Sequence, residues 1–400
     1  MYPGPVDSTD SLTGGQPDGP GANYRISGIY LHIPFCFHKC HYCDFYSIAH
    51  DVETEHEKQV KFVDRLIAEV RDFCEDRSGS TPVQPTTIFV GGGTPTLLSV
   101  DLWERLITEF QRLELLDSVR EFTVEANPET VSPELMDVLV SGGVNRISVG
   151  AQSFDHQLLK TLERHHDPDN VERAIRFAHE AGIDNVNVDL IFAIPGQSMA
   201  TLESDLESAL KLAPDHISYY SLIYEPNTPL TQKKRTGAVV PLDEDIEAAM
   251  YERVIDRLGE AGLEQYEVSN WAKSGRRCLH NLMYWKNENW IAFGPFGSSH
   301  IDGHRWKNEA HLGHYVDSNE TPTQDHERLD DQGRIGEQLM LGLRLLEGVS
   351  LDWVSETVTG TRLDRIEKLI ELQLLERTQK HLRLTRKGLF VADSVIGELL

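Results

Sequence analysis

The chain has 400 residues, of which 40% are hydrophobic, enough for a large core and, by length, one large α/β domain with a smaller appendage. Its formal net charge of -26 would repel a phosphate backbone over most of the surface, so we expect no nucleic-acid partner. No apolar stretch approaches the roughly 18 residues of a membrane-spanning helix and the N-terminus lacks a signal pattern, so we expect a cytoplasmic protein without an integral membrane segment.

Composition divides the chain into three parts. Residues 1–24 are rich in Gly, Pro, Ser and Asp and nearly lack aliphatic residues, which predicts a disordered tail. Residues 25–323 alternate short β-branched runs with helical patterns, and residues 324–400 form a predicted C-terminal domain. In that domain, helical patterns at 335–345 and 363–374 and a hairpin pattern at 376–384 indicate a small helical, winged-helix-like shape. Its mixed charge favours a packing role over DNA binding.

Six short apolar runs predict parallel strands connected by helices. They cover residues 29–33, 87–90, 121–125, 146–149, 186–192 and 216–222. Six such units predict an α/β fold, specifically a partial or complete parallel barrel of the (β/α)6 type. In such barrels the loops that follow the strands build the site. Polar or glycine-rich residues follow each run here, which predicts one convergent site from the cysteine loop after Ile33, residues 91–96, Glu125 with Asn127, Gln152, Asp189 with the turn at 194–196, and residues 224–226.

The cysteines favour a metal site in a reducing compartment over a disulfide framework. There are five, and Cys36, Cys40 and Cys43 lie within eight residues immediately after the first predicted strand. Three thiolates can hold one [4Fe-4S] cubane and leave one iron open to the amine and carboxylate of another molecule, whereas iron–sulfur clusters normally have four cysteine ligands. One alternative is a zinc site completed by His38 or His41, although no second pair of ligands follows. The other is a set of unpaired buried cysteines.

The spacing CxxxCxxC after a strand, followed by an aromatic residue, resembles the signature of the radical S-adenosylmethionine superfamily. This resemblance implies a TIM-like barrel, a [4Fe-4S] cluster on Cys36, Cys40 and Cys43, and S-adenosylmethionine, which members cleave to methionine and a 5'-deoxyadenosyl radical. Residues 30–36 and 91–96 further resemble oxygen-independent coproporphyrinogen oxidase and its relatives. The resemblance runs from about Tyr30 to Leu345 and continues more weakly into a C-terminal domain like that of this group.

The resemblance implies a set of contacts with S-adenosylmethionine. Carboxylates of Glu125 and Asp189 could hold its ammonium or its ribose hydroxyls, and Arg164 offers a guanidinium fork for its carboxylate. The amides of the glycine run could receive the same carboxylate. Tyr42 would stack on the adenine or cover the cluster. Taken singly, each acid could equally be a helix cap or a loop charge. The full implied set is Tyr30, Tyr42, Gly92, Gly93, Thr94, Glu125, Gln152, Arg164 and Asp189.

Two features distinguish branches of this group. The oxidase has a fourth cysteine two residues after the third, where this chain has Phe45. Residues 280–285, HNLMYW, match the HNxxYW motif of the HemW-like haem chaperone branch. The resemblance implies His280 as an axial ligand of haem, with Tyr284 and Trp285 stacking on the macrocycle. A histidine beside aromatic residues is also commonly a packed, hydrogen-bonded residue, and Cys278 is a competing ligand or a buried thiol.

The resemblance therefore predicts a haem chaperone that binds haem and passes it to an apo-haemoprotein, possibly as a homodimer. Whether the chain is an enzyme stays open, and no catalytic residue is assigned. The first alternative is coproporphyrinogen III dehydrogenase, which forms vinyl groups by radical decarboxylation. Further alternatives are another radical reaction, such as methyl transfer, and a non-catalytic zinc-binding module.

Overall fold

The computed structural model describes residues 24–49, 52–76 and 83–400. The predicted disordered tail, apart from Tyr24, lies outside these residues. The strands, in chain order, are β1 (Gly28–Ile33), β2 (Phe35–Cys36), β3 (Ile48–Ala49), β4 (Thr87–Gly92), β5 (Glu121–Ala126), β6 (Arg146–Gln152), β7 (Asn185–Phe192), β8 (His216–Ser221), β9 (Glu264–Glu267), β10 (Asn270–Ala272), β11 (Trp290–Phe293), β12 (Ser298–Ile301), β13 (His304–Asn308), β14 (Thr323–Arg328), β15 (Val349–Ser350), β16 (Leu375–Arg377) and β17 (His381–Leu384).

Fifteen α-helices and one 3-10 helix, at Pro95–Leu97, connect these strands in the described part of the chain. The helices are α1 (Val52–Asp76), α2 (Val100–Arg112), α3 (Pro133–Ser141), α4 (His156–Leu162), α5 (Asp169–Ala181), α6 (Met199–Lys211), α7 (Pro229–Arg235), α8 (Glu244–Glu260), α9 (Leu279–Trp285), α10 (Leu312–Asp317), α11 (Asp331–Gly342), α12 (Leu351–Thr357), α13 (Thr361–Glu371), α14 (Arg386–Leu389) and α15 (Ala392–Gly397).

All six predicted strands form, and they pair in parallel in the order β1-β4-β5-β6-β7-β8. Each is rich in β-branched and aliphatic residues because helices cover the sheet, as the fully buried Val90, Ile147 and Val188 show. The strands belong to one open sheet of 12 strands, which continues beyond β8 into the antiparallel β10 and β9. The predicted α/β fold with a partial parallel barrel is confirmed.

The sheet also extends on the other side of β1, which the sequence pattern did not predict. Strand β11 pairs in parallel with β1 and leads into the antiparallel strands β12, β13 and β14. One buried carboxylate fastens this extension to α1, since Glu69 accepts hydrogen bonds from the Gly294 amide (2.9 Å), the Asn308 amide group (2.9 Å) and the Tyr315 hydroxyl (2.6 Å). Gly294 has φ +91 and lies so close to β1 that a Cβ atom would be 2.5 Å from the His32 carbonyl oxygen.

The C-terminal region has a hydrophobic core of its own. Helices α11–α15 and the antiparallel sheet β15-β17-β16 enclose buried residues between Leu339 and Leu399. The predicted hairpin at 376–384 forms as β16 and β17. Strand β14 crosses the predicted boundary between 323 and 324 because it pairs with β13, so we place the start of this unit after Arg328. Among the described helices, none is long and apolar enough to cross a membrane.

We expect Glu69→Ala to lower the free energy of unfolding by roughly 2–4 kcal/mol, because three buried donors would lose their acceptor. Glu75→Ala, on the same helix, is the matched control, since the Glu75 side chain is 61% exposed and its free-energy change should stay within about 0.5 kcal/mol. Urea denaturation followed by circular dichroism measures both. Equal stabilities for the two variants would show that Glu69 does not fasten the extension.

Candidate functional site

The C-terminal ends of the six parallel strands surround a single cavity of about 620 Å³. Its wall includes the cysteine loop after β1, the glycine loop after β4, and residues from β5 to β8. The structure thus brings together most of the sequence-predicted site: Cys36, Cys40, Tyr42, Cys43, Gly92, Gly93, Thr94, Glu125, Asn127, Gln152, Arg164 and Asp189. Tyr30, His280 and the turn at 194–196 are not in this wall.

Two backbone hydrogen bonds fasten the cysteine loop to the glycine loop. The Gly93 amide donates to the Ile33 carbonyl and the Thr94 amide donates to the Phe35 carbonyl, both at 2.7 Å. This approach requires glycine, because a Cβ atom on Gly93 would lie 2.6 Å from the Phe35 carbonyl oxygen. The short β2–β3 ladder closes the other end of the cysteine loop. Consequently Cys36 is held beside Thr94, whose hydroxyl lies 3.5 Å from the Cys36 Sγ atom.

The glycine loop differs from the sequence expectation in one respect. The Gly92 amide donates to the Glu125 carboxylate at 3.1 Å, and the amides of Gly93 and Thr94 are bonded to the cysteine loop. All three amides therefore have acceptors within the protein and are not left to receive a ligand carboxylate. The loops need these donors to fasten to each other, so the glycines serve close packing, and Gly92, at φ +105, lies against the His32 ring.

The three thiols of the cysteine loop have the properties of metal ligands. None is in a disulfide, and Cys40 is buried with its Sγ atom 3.8 Å from the Arg164 guanidinium. Burial raises the pKa of the Cys36 thiol and raises that of Cys43 to about 11. The Cys36 and Cys43 thiols are therefore protonated at neutral pH without metal, and a cation must displace those protons to bind.

The spacing of these thiols favours a cluster over a single zinc ion. In the described chain, the three Sγ atoms do not all lie within 4.8 Å of one another, and no histidine completes such a group with them. A tetrahedral zinc site with bonds of about 2.3 Å needs sulfur atoms roughly 3.8 Å apart. A four-iron cubane holds its cysteines further apart because each thiolate binds a different iron. The donor set therefore fits a cubane, whereas the spacing does not match a single zinc ion.

Charged groups that line the same cavity are complementary to a zwitterion. Asp189 accepts hydrogen bonds from the Asn187 amide group (2.7 Å) and the Ser148 hydroxyl (2.9 Å). Burial raises the pKa of Asp189, and burial together with the Asp189 charge raises the pKa of Glu125 to about 7. Nearby, the half-buried Arg164 donates to the Gly150 carbonyl at 3.0 Å, whereas its Nε has no partner among the described residues. A ligand with one cationic group and one carboxylate would satisfy both sides.

Local backbone features position these groups. Gln152 follows a bulge in the pairing of β6 with β7 and has φ +65, which is uncommon for a residue other than glycine. Position 150 is a glycine because the Gln152 and Arg164 side chains pack over its Cα atom. A Cβ atom there would lie 2.9 Å from the Gln152 amide nitrogen and 3.0 Å from a guanidinium nitrogen of Arg164. The bulge thereby aims both side chains into the cavity.

The two tyrosines of the expected ligand set are in different places. Tyr42 lines the cavity, and burial raises the pKa of its phenol, which stays neutral. Tyr30 instead stacks on Phe89, with ring centroids 6.3 Å apart, and its hydroxyl lies 3.3 Å from His32 Nδ1. Tyr30 therefore lies one layer below the cavity and supports its floor.

His280 occupies the opposite end of the barrel. It is 1% exposed, with Nδ1 2.8 Å from the Thr87 hydroxyl and Nε2 2.9 Å from the Tyr284 hydroxyl. The amides of Leu279 and His280 donate to the Glu121 carboxylate at 2.9 Å. Thr87 and Glu121 begin β4 and β5, so α9 closes the N-terminal end of the barrel. Both ring nitrogens are engaged and the ring lies outside the cavity wall, so this structure leaves His280 no free nitrogen for the expected axial role.

Cys278, the competing ligand, is equally enclosed. Its thiol lies 3.5 Å from the Glu121 carboxylate, and burial raises its pKa to about 12. Trp285 also has a partner within the protein, because the Arg344 guanidinium lies 5.2 Å from its ring centre. The HNxxYW segment thus packs against the N-terminal end of the barrel and closes it.

Sequence reasoning missed several residues of the site. Ser148 and Asn187 position Asp189 by hydrogen bonds, and the signal for them is polar residues at alternate positions of otherwise apolar strands. Phe45 and Ile223 stand at the cavity wall with exposed fractions of 63% and 64%. Phe296 completes this apolar mouth from the extension after β11.

We expect the ligand-free protein to lose stability as pH rises from about 5 to 8. The folded-state pKa of Glu125 is raised to about 7 from 4.5, so its contribution is fully present below pH 4.5 and is lost as pH rises through 7. Glu125→Gln removes this titration, and the difference between the stabilities of wild type and variant should change by about 2–3 kcal/mol over that interval. Urea denaturation at several pH values, with Glu134→Gln at an exposed position as control, measures it. Parallel pH profiles for wild type and Glu125→Gln would contradict the expectation.

Comparison with known families and proteins agrees with this architecture. Residues 30–209 match the Radical SAM superfamily, and residues 329–391 match the HemN C-terminal domain. The chain is 35% identical over 384 residues to the Heme chaperone HemW of Lactococcus lactis, covering 94% of this chain and 98% of that protein. It is 35% identical over 386 residues to the Heme chaperone HemW of Bacillus subtilis, covering 94% and 99%. The chain is 38% identical over 266 residues to the Heme chaperone HemW of Escherichia coli, covering 66% of this chain and 68% of that protein.

A solved structure, coproporphyrinogen III oxidase (HemN) from Escherichia coli, described as a Radical SAM enzyme, shares the fold. The TM-score is 0.81 at 18% sequence identity, with 94% of this chain and 91% of that chain covered. This likeness extends over the barrel and the C-terminal unit and concerns the fold alone. Because the chain aligns almost end to end with relatives at 35% identity, it belongs to the HemW family within the Radical SAM superfamily.

Proposed function

We propose that this protein is a haem chaperone that carries a [4Fe-4S] cluster on Cys36, Cys40 and Cys43, binds S-adenosylmethionine beside it, and delivers haem to apo-haemoproteins. The observation that carries the proposal is the similarity to proteins named haem chaperones over nearly the full length of this chain and of theirs. The position of Phe45, where the oxidase resemblance would require a fourth cysteine, points in the same direction.

Three thiols on one cavity wall support the cluster assignment. Cys36, Cys40 and Cys43 are the cysteines that reach the cavity, and the Arg164 guanidinium next to Cys40 would offset the negative charge of bound thiolates. One iron would have no ligand from these cysteines and would face the cavity. When bound and reduced, such a cluster supplies the electron that radical S-adenosylmethionine proteins use.

The charged side chains of the cavity support S-adenosylmethionine. The unpartnered Nε of Arg164 can donate to a carboxylate, and Glu125 and Asp189 can hold an ammonium group or ribose hydroxyls. Tyr42 and Gln152 lie in the same wall, and the bare backbone of the glycine loop lets a ligand approach closely. The proposed contacts are therefore Tyr42, Gly92, Gly93, Thr94, Glu125, Gln152, Arg164 and Asp189, with Tyr30 as a supporting residue.

The mouth of the cavity supports haem binding, whereas His280 does not. Phe45 and Ile223 are exposed apolar side chains at the cavity wall, and Phe296 adds an aromatic ring. A flat apolar macrocycle can cover such a surface, and the exposed Lys39 in the same wall can pair with a propionate.

The test uses anaerobically reconstituted protein loaded with haem and mixed with an apo-haemoprotein. We expect wild type to hold on the order of four iron and four sulfide per chain and to transfer haem, seen as the absorbance of the reconstituted acceptor. Cys40→Ala should lose the cluster, because two thiolates cannot retain a cubane. Cys74→Ala, a cysteine substitution on α1 away from the cavity, should keep it.

The outcomes separate the proposal from its main alternative. Conversion of coproporphyrinogen III to protoporphyrinogen by the wild type with S-adenosylmethionine would identify a dehydrogenase and overturn the chaperone assignment. Full iron content in Cys40→Ala, or bound zinc in place of iron, would overturn the cluster assignment. A loaded protein that retains haem in the presence of an apo-haemoprotein would overturn the delivery role.

We expect His280→Ala to change stability and not haem binding. The substitution leaves the Thr87 and Tyr284 hydroxyls without their partner in a buried site, at a cost of roughly 2–4 kcal/mol. Thermal unfolding should show a lower Tm, and the haem-bound absorbance spectrum should match that of wild type. His156→Ala, at an exposed position, is the control. A changed haem spectrum at unchanged Tm would return His280 to the role of an axial ligand.

A further inference from the structure

A second group of potential metal ligands lies beside the cysteine loop. His38 belongs to that loop, and Glu163 and His165 belong to the connection between α4 and α5. One ligand atom from each of these residues lies within 4.8 Å of the other two. The two imidazole rings are stacked, with centroids 4.3 Å apart and planes at 10°. Two nitrogen donors and one carboxylate form a donor set that zinc and related divalent ions prefer.

The hydrogen bonding of this group is incomplete. His38 Nε2 and His41 Nδ1 are buried and have no hydrogen-bond partner among the described residues. His41 Nδ1 lies 3.9 Å from the Glu163 carboxylate, so it borders the group of three residues whose ligand atoms are mutually within 4.8 Å. Buried polar atoms in native proteins normally have a partner, and those that lack one call for a ligand, an ion or a water molecule. The unpartnered nitrogens are an observation independent of the ligand spacing, and both indicate a bound cation.

The backbone holds the carboxylate in this group. Glu163 ends α4 in the left-handed conformation, with φ +53, which is uncommon for glutamate. Its neighbours fasten the two segments, since the His41 amide donates to the Leu162 carbonyl at 3.2 Å and the Arg164 amide donates to the Leu159 carbonyl at 2.9 Å. These backbone hydrogen bonds therefore hold in place the two segments that supply the three ligands.

We propose that His38, Glu163 and His165 bind a divalent transition-metal ion of the zinc type, with His41 as the fourth donor. Bonds of about 2.0–2.1 Å require ligand atoms roughly 3.3 Å apart, which side-chain rotation supplies because His165 is 60% exposed.

Such an ion would stabilise the cluster site by connecting two segments of the chain. It would connect the cysteine loop, through His38, to the segment that carries Arg164, whose guanidinium contacts the Cys40 sulfur. The inference does not depend on haem binding or delivery.

The test titrates cluster-loaded protein with Co²⁺ under anaerobic conditions and follows the ligand-field absorbance of the bound ion, with iron content measured in parallel. We expect one saturable Co²⁺ per chain, displaced by Zn²⁺. Glu163→Gln and His165→Ala should each weaken Co²⁺ binding by at least about 10-fold. Loss of a residue that only positions a metal ligand already weakens metal binding by about that factor, and loss of a ligand should weaken it at least as much. His179→Ala, an exposed histidine on α5, should bind as wild type does. Iron content should be unchanged throughout.

Three results would overturn the inference. The first is equal Co²⁺ affinity in wild type, Glu163→Gln and His165→Ala, and the second is no saturable binding by wild type. The third is release of iron in proportion to the Co²⁺ taken up, since this would place the added ion on the cysteines. Because haem is absent from the titration, none of these outcomes bears on the haem chaperone proposal.

Discussion

The arrangement of the site depends on the backbone contact between the loops that follow β1 and β4. Strands β1 and β4 are parallel neighbours, so their C-terminal loops leave the sheet side by side. Gly93 and Thr94 donate their amides to carbonyls on either side of Pro34, and this fixes the chain direction just before Cys36. The absence of a side chain at Gly93 permits that approach. Without it, the first thiol would not be held at the cavity wall beside Thr94.

The two ends of the barrel use similar residue types for opposite purposes. At the C-terminal end, Glu125, Asp189 and Arg164 have hydrogen-bonding or charge capacity that the protein does not satisfy. At the N-terminal end, Glu121 accepts hydrogen bonds from the start of α9, and His280 has partners at both nitrogens. Between them, Phe89 stacks on Tyr30 at 6.3 Å and on His280 at 5.2 Å. This aromatic layer separates the open C-terminal end of the barrel, which carries the candidate site, from the N-terminal end, which α9 closes.

The sequence predicted what depends on local pattern and failed where distant residues decide. The six parallel strands and the cysteine loop could be predicted because β-branched runs and cysteine spacing are local signals. The pairing of β11 with β1 joins residues from opposite ends of the barrel domain, and four residues of strand pattern do not reveal it. The role of His280 depends on Thr87 and Glu121, more than 150 positions away. Thr87 and Glu121 are the first residues of predicted strands, so the sequence already indicated that they lie at the N-terminal end of the barrel.

The charges in the cavity explain why a zwitterion fits this site better than a simple anion or cation. A cation alone would lower the pKa of Glu125 and Asp189 and restore their carboxylates, but it would leave the half-buried Arg164 without a counter-ion. An anion alone would pair with Arg164 while raising the cost of ionising the two acids. A molecule with both charges satisfies the two carboxylates and the guanidinium at once. Its carboxylate then lies near the cysteine loop, because Arg164 contacts the Cys40 sulfur. The side chain that would balance the ligand's carboxylate would therefore also orient it toward the open corner of the proposed three-thiolate cluster.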